Sequence, residues 1–236
     1  MDFFTLYREI EKYDLEIFTL NDVIKITGQK REVVQSTLTR LVSQKKLFRL
    51  KNKYYSLKEI ENKFLFQKLF NETYIGLHAA LEYYGSTTQR FNNLDLIAKN
   101  VLKDQIIGNT QVTFHKVKTD MFFGYEKHRY SKTDVFISNI EKTIIDCTYF
   151  SSKVYLSEIS SFVDTYAQKI NTERLTLYLK KIASAVLNKR VGYLLERSGI
   201  LINDIEINNK YDRLNINLGE HGIRNRKWKL IINENL

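Results

Sequence analysis

An α+β fold in two parts, a small helical unit followed by a larger mixed unit, is what the sequence predicts, and three observations lead there. Apolar residues recur at helical spacing between Asp2 and Ser43. Two short strand-like runs follow, at residues 47–50 and 54–57. From Glu59 onward helix-like and strand-like segments mix along the chain. With 236 residues, 43% hydrophobic and 27% charged, and 15 Tyr, 14 Phe and one Trp, the chain has the balance of a folded protein with room for two domains. Proline is absent, so the turns rest on Gly, Asn, Asp and Ser.

In order, residues 2–12 place Phe3, Leu6, Tyr7 and Ile10 on one face, the pattern of an amphipathic helix. Thr19 followed by Asp22 is a helix-start signal, since a threonine oxygen can accept an orphan N–H and an acid suits the first turn. The helix it opens carries Val23, Ile24 and Ile26 and stops at Thr27 and Gly28. A third helix over about 29–43 has the stripe Val34, Leu38, Leu41 and Val42, with Gln35, Ser36, Thr39 and Arg40 pointing away from it. Two helices across a tight glycine turn form a helix-turn-helix pattern. The two strands that follow enclose Lys51, Asn52 and Lys53, a hairpin with a basic tip. Three helices and a hairpin in this order predict a winged helix over 1–58.

Residues 59–236 are expected to form the mixed α+β unit. Helices are expected over 60–70 and 74–84, and strands over 94–98, 110–117 and 134–137. Ser138 and Glu141 read as a capping box for a helix through residue 150. Further helices are expected over 157–168, 172–187 and 190–198, and strands over 214–218 and 227–232.

The longest run without Asp, Glu, Lys or Arg is the 11 residues from Gln105 to His115, against about 20 apolar residues for a membrane helix. The first residues lack the pattern of a secretory signal, and the single cysteine, Cys147, agrees with a reducing compartment, so a cytoplasmic location is expected. The net charge of +10 points to a polyanionic partner. Its placement is uneven. Residues 1–29 hold three bases and six acids, whereas 30–58 hold nine bases and one acid, Glu32.

A helix that seats in the major groove needs donors on its outer face, nearby cations for phosphates and a core behind it. The third helix meets these needs. Lys30 and Arg31 sit at its start, and Gln35, Ser36, Thr39 and Arg40 on its outer face. Arg31 and Gln35 are assigned to base edges, since Arg pairs bidentately with guanine and Gln with adenine, and the others to backbone positioning. Lys51 and Lys53 would reach a flanking phosphate or minor groove. The expected partner is double-stranded DNA. A solvated basic face, or a winged helix that docks protein, is the alternative reading.

No catalytic, cofactor or metal site is expected. His78, His115, His128 and His221 show no ligand spacing, and no phosphate-cradling glycine motif occurs. Cys147, among Ile144, Ile145 and Phe150, reads as a small core residue. Asp134, Glu141 and Lys142 have the residue types of a metal-dependent nuclease, the alternative enzymatic reading. Against it, Glu141 is accounted for by the capping box, and Asp134 sits on a short strand.

Three motifs carry a family likeness. The run from Tyr74 to Gly85 (YIGLHAALEYYG), Phe122 to Tyr125 (FFGY) and Ile140 to Asp146 (IEKTIID) resemble, in order and spacing, the AbiEi-type antitoxins, transcriptional regulators of type IV toxin–antitoxin pairs. The winged helix and a late segment from Lys227 to Asn233 are also similar, so the likeness spans nearly the whole chain. Ile140 stands where the family pattern has proline, and His78 where it has a small or aromatic residue. The resemblance implies an abortive-infection repressor that binds an inverted-repeat operator of its own operon. It also implies a C-terminal domain that opposes a nucleotidyltransferase toxin, without the need for a stable complex. A plain regulator without a toxin is the remaining alternative.

Overall fold

The structure is a computed structural model that describes residues 1–87, 92–130 and 132–236. It has a mixed α+β architecture. The first unit consists of α1 (Phe3–Lys12), β1 (Phe18–Thr19), α2 (Leu20–Thr27), α3 (Arg31–Ser43), β2 (Phe48–Lys51) and β3 (Tyr54–Ser56). Each start and stop has a local cause. Asp2 caps α1 by accepting from the Thr5 N–H at 3.0 Å, which holds its carboxyl below the ordinary range. Thr19 and Asp22 form a reciprocal capping box on α2, and Gly28 ends that helix in the left-handed region at φ +63. Lys30 is extended, so α3 begins at Arg31, two residues later than the pattern predicts. Leu6, Ile10, Phe18, Val23, Val34, Leu38, Leu41 and Leu47 close a core of the unit's own. The two-residue β1, too short to show in a pattern, pairs with β3 and makes the sheet three-stranded, in the order β1-β3-β2.

The second unit is built on β4 (Thr73–Ile75), α4 (Leu77–Tyr83), β5 (Asn93–Ala98), β6 (Gln105–Ile107), β7 (Thr110–Lys116), β8 (Tyr125–Tyr130) and β9 (Thr133–Ser138). Its strands form one six-stranded sheet in the order β6-β7-β5-β4-β9-β8, parallel at β5/β7 and β4/β9 and antiparallel elsewhere. One face packs on 3₁₀ turns at Lys63–Leu69. The other is covered by α5 (Ile140–Tyr149), α6 (Leu156–Tyr166), α7 (Thr172–Ile182) and α8 (Ala185–Arg197). A small sheet of β10 (Asp212–Arg213), β11 (Ile223–Asn225) and β12 (Leu230–Ile232) closes the chain. None of the helices among the described residues is long and apolar enough to cross a membrane.

Several expectations need correction. Residues 60–70 are not an α-helix, because Phe64, Leu65, Phe66 and Gln67 are all buried in succession and tertiary packing sets their winding. The segment 74–84 divides at Gly76, where a Cβ would lie 2.6 Å from Ile97 Cγ1, so Tyr74 and Ile75 belong to the central strand β4. The break between the last two helices falls at Ala183, which is left-handed at φ +53, with Ser184 capping α8, and not near residue 188. Strand 214–218 is replaced by β10, just before it. The helix α5 is capped by Asn139, which accepts from Lys142 N at 2.9 Å, and not by Ser138, whose hydroxyl bonds Thr143 Oγ1 at 2.8 Å.

The acids of the first 29 residues also find a place. Asp14 pairs with Lys132 at 2.7 Å and with Arg129 at 3.7 Å, Glu11 pairs with Lys132 at 3.4 Å, and Glu16 accepts from Thr133 at 3.4 Å. Ile17 joins the apolar cluster under the large sheet. Three of the six acids of the first 29 residues, Glu11, Asp14 and Glu16, therefore meet the second unit.

Candidate nucleic-acid interface

The amphipathic pattern of α3 decides what it presents. Val34, Thr37, Leu38 and Leu41 are buried, so Lys30, Arg31, Gln35, Ser36, Thr39 and Arg40 are all on the exposed side. Gln35, Ser36, Thr39 and Arg40 line one open groove with Glu32 and Ser43. Arg31 and Lys53 line a neighbouring cleft of about 200 Å³ with Thr19, Leu20, Asn21 and Tyr54. The structure thus gathers six of the eight sequence-predicted residues at two places, with Arg31 one turn from Gln35, while Lys30 and Lys51 line neither.

The hydrogen-bonding capacity of this face is only partly used. Ser36 donates to the Val33 carbonyl at 3.0 Å and Thr39 to the Gln35 carbonyl at 2.9 Å, which orients both hydroxyls and leaves their oxygens free to accept. Arg40 donates to the Met1 carbonyl at 3.0 Å, and Arg31 to Asn21 Oδ1 at 3.3 Å. These two contacts hold the guanidinium groups in place without neutralising them. Among the described residues, none of the eight predicted side chains forms an ion pair. Lys53, at the hairpin tip, is exposed and held at φ +73.

Lys51 departs from its expected role. Its ammonium lies 3.7 Å from the Phe70 ring centroid, and desolvation lowers its pKa, so it bridges to the second unit and does not face the groove. Sequence reasoning missed Asn21 and the Met1 carbonyl, which position the two arginines. The signal for Asn21 was its place in the first turn of α2. Met1 gives no sequence signal, because a backbone carbonyl is the same in every residue.

The three motifs of the second unit come together as well, but inside it. Tyr74 donates to Asp146 Oδ2 at 2.9 Å, Lys142 Nζ donates to the Tyr74 hydroxyl at 3.0 Å, and Lys142 pairs with Asp146, all fully buried. Tyr125 stacks on Tyr74 with centroids 4.9 Å apart. Gly124 must be glycine, since it sits at φ +72 with Lys142 where a Cβ would project. Burial pushes the Asp146 carboxyl and the Tyr74 hydroxyl up, and pushes the Cys147 thiol well up.

Asp134, Glu141 and Lys142 are not brought to one site. Asp134 pairs with Lys127 at 2.7 Å and Arg129 at 3.2 Å. Glu141 accepts from Asn171 N at 2.7 Å and pairs with Arg174 at 3.4 Å, in place of the expected capping box. A polar cluster the sequence did not announce joins His115 to Asp95 at 2.8 Å, Asp95 to His78 at 3.6 Å and His78 to Glu158 at 3.4 Å.

No family model and no curated protein matches the sequence. In fold the chain is similar to the crystal structure of the RV2827C protein from Mycobacterium tuberculosis, with a TM-score of 0.67 over 97% of this chain and 90% of that one at 10% identity. That likeness is one of fold, and it extends over both parts of the α+β architecture.

Proposed function

We propose that this protein is a sequence-specific DNA-binding transcriptional repressor, with residues 1–58 acting as a winged helix-turn-helix whose α3 enters a major groove. One observation carries the reading: the exposed face of α3 and the Lys53 tip hold cations and amide or hydroxyl groups without a carboxylate partner. Cations at the surface elsewhere are often paired, as exposed Lys127 is with Asp134 and half-buried Lys99 and Arg174 are with Glu72 and Glu126. Cations left unpaired in this way remain available to phosphate, with Glu32 the one carboxylate lining the groove. Arg31 and Gln35 are the base-reading residues, and Lys30, Ser36, Thr39, Arg40 and Lys53 hold the backbone.

The test is duplex binding by the full chain, measured by fluorescence anisotropy on inverted repeats from its own promoter and on scrambled controls. Arg31→Ala and Gln35→Ala should each remove about 1–3 kcal/mol of preference for the repeat, and Lys53→Ala should weaken all duplexes alike. If the wild-type chain binds no duplex at low salt, the reading fails and a protein-docking role for the unit takes its place.

The resemblance to AbiEi-type antitoxins extends the proposal to an antitoxin that opposes a nucleotidyltransferase toxin. Its support is that all three motif segments meet in one buried network, as a shared scaffold would require. Co-expression with a nucleotidyltransferase encoded by the adjoining gene tests it: the full chain should relieve growth arrest, and no relief would leave a plain regulator. The nuclease alternative gains nothing from the geometry of Asp134, Glu141 and Lys142.

A further inference from the structure

The C-terminal hairpin concentrates charge a second time. Between Lys210 and Lys229 the chain holds six Lys and Arg residues against Asp212 and Glu220. Asp212 is already taken by Lys189, at 2.6 Å. Arg224 on β11 and Lys229 before β12 approach the same ring, Tyr211, at 5.1 and 5.7 Å from its centroid. Arg226, in the turn between those strands, is exposed. No carboxylate of the described residues pairs with Arg224, Arg226 or Lys229. Both cations stand beside one tyrosine without a carboxylate partner, so an anion placed there would be attracted by both.

The hairpin is also held rigidly. Trp228, next to Lys229, is buried against Gly192 of α8, where any Cβ would run into its ring, and its indole N–H donates to Glu196. Lys227 pairs with the same Glu196 at 2.8 Å. A basic hairpin anchored by a buried tryptophan is preorganised, so binding would cost little ordering of the backbone.

We infer that the hairpin bearing Arg224, Arg226 and Lys229 beside Tyr211 is a second phosphate-binding surface, whose ligand is the backbone of duplex DNA. The inference rests on the proposed function, because the DNA held by α3 is the polyanion that makes duplex the ligand of choice.

The test uses the full chain and two variants: R224A/R226A/K229A in the hairpin and R31A/R40A on the first unit. Affinity for a duplex longer than one α3 site is measured across salt concentrations, with Trp228, the only tryptophan, as the local reporter. The hairpin variant should lose about two to three units of the slope of log K against log salt. Wild-type Trp228 emission should change on duplex addition, and that change should vanish in the hairpin variant. If the hairpin variant keeps the wild-type slope, the inference is overturned and the proposed function stands. If it alone loses binding while R31A/R40A binds normally, the proposed function fails and the hairpin remains as the site. The same titration is run with single-stranded RNA, and a loss of slope confined to that probe overturns the choice of duplex. Thermal melting checks the fold, and should the triple variant not fold, R226A alone should lower the slope by about one unit, with no change counting against the inference.

Discussion

Lysine and arginine do opposite work on the outer face of the first unit and in the core of the second. On the outer face of α3 and at Lys53 they stand in solvent, anchored at most by a neutral oxygen. In the second unit Lys142 is fully buried on Asp146 and Tyr74, and Lys189 is fully buried on Asn208 at 2.6 Å, the Lys210 carbonyl at 2.5 Å and Asp212 at 2.6 Å. The difference teaches that net charge says little until its placement is known. An exposed unpaired cation retains its charge for a ligand, whereas a buried paired one is a structural element whose loss leaves its partner stranded.

The largest effect that could break this comparison lies at the buried pair. Lys142→Met should destabilise the protein by about 3–5 kcal/mol in denaturant unfolding, because Asp146 is left charged or unpaired in the core. Adding Asp146→Leu should recover part of that loss. A neutral single substitution would mean that the pair is not the support described here. Next, Gly192→Ala should cost about 1–3 kcal/mol, by forcing Trp228 out of its seat. It should also shift the emission of that tryptophan. By contrast, Arg40→Ala should leave unfolding within about 0.5 kcal/mol of wild type while weakening duplex binding.

Lys53 sharpens the contrast further. Held at φ +73 where glycine is at ease, it bears backbone strain at a proposed binding position. Lys53→Gly should raise stability by about 0.5–1 kcal/mol and lower affinity for every duplex. The smallest effect concerns pH. The hydrogen bond to Asp95 raises the pKa of His78 despite its burial. The stability this contributes is complete below the ordinary histidine value of 6.5 and is lost as pH rises through the higher folded-state value. His78→Gln should therefore flatten the decline in stability that sets in above the ordinary histidine value.

How much of this was legible in the sequence depends on whether local pattern or tertiary packing decides. The capping pair Thr19 and Asp22, the turn at Gly28 and the stripe Val34, Leu38 and Leu41 are local features, and the first unit follows them closely. Tyr74 and Ile75 misled the helical reading because their place in the sheet depends on β5 and β9, far away in sequence. The edge strand β8, with Glu126, Lys127 and Arg129, has the composition of a loop, as exposed edges often do. In the candidate site, the outer face of α3 could be read from spacing alone. The diversion of Lys51 to Phe70 could not, since it needs the packing of one unit on the other. The Lys142–Asp146 pair sits at i, i+4 spacing, yet only the structure shows that it is sealed.

The central claim is that the unpaired cations of the first unit meet phosphates. The direct measurement is the affinity of the full chain for duplex DNA against salt concentration, compared with R31A/R40A. On a duplex no longer than one α3 site, with about three phosphates neutralised by Lys30, Arg40 and Lys53, log K should fall with log salt at a slope of roughly −3, and the variant should be less steep by about one unit through the loss of Arg40. An affinity independent of salt, or a variant as steep as wild type, would contradict the account.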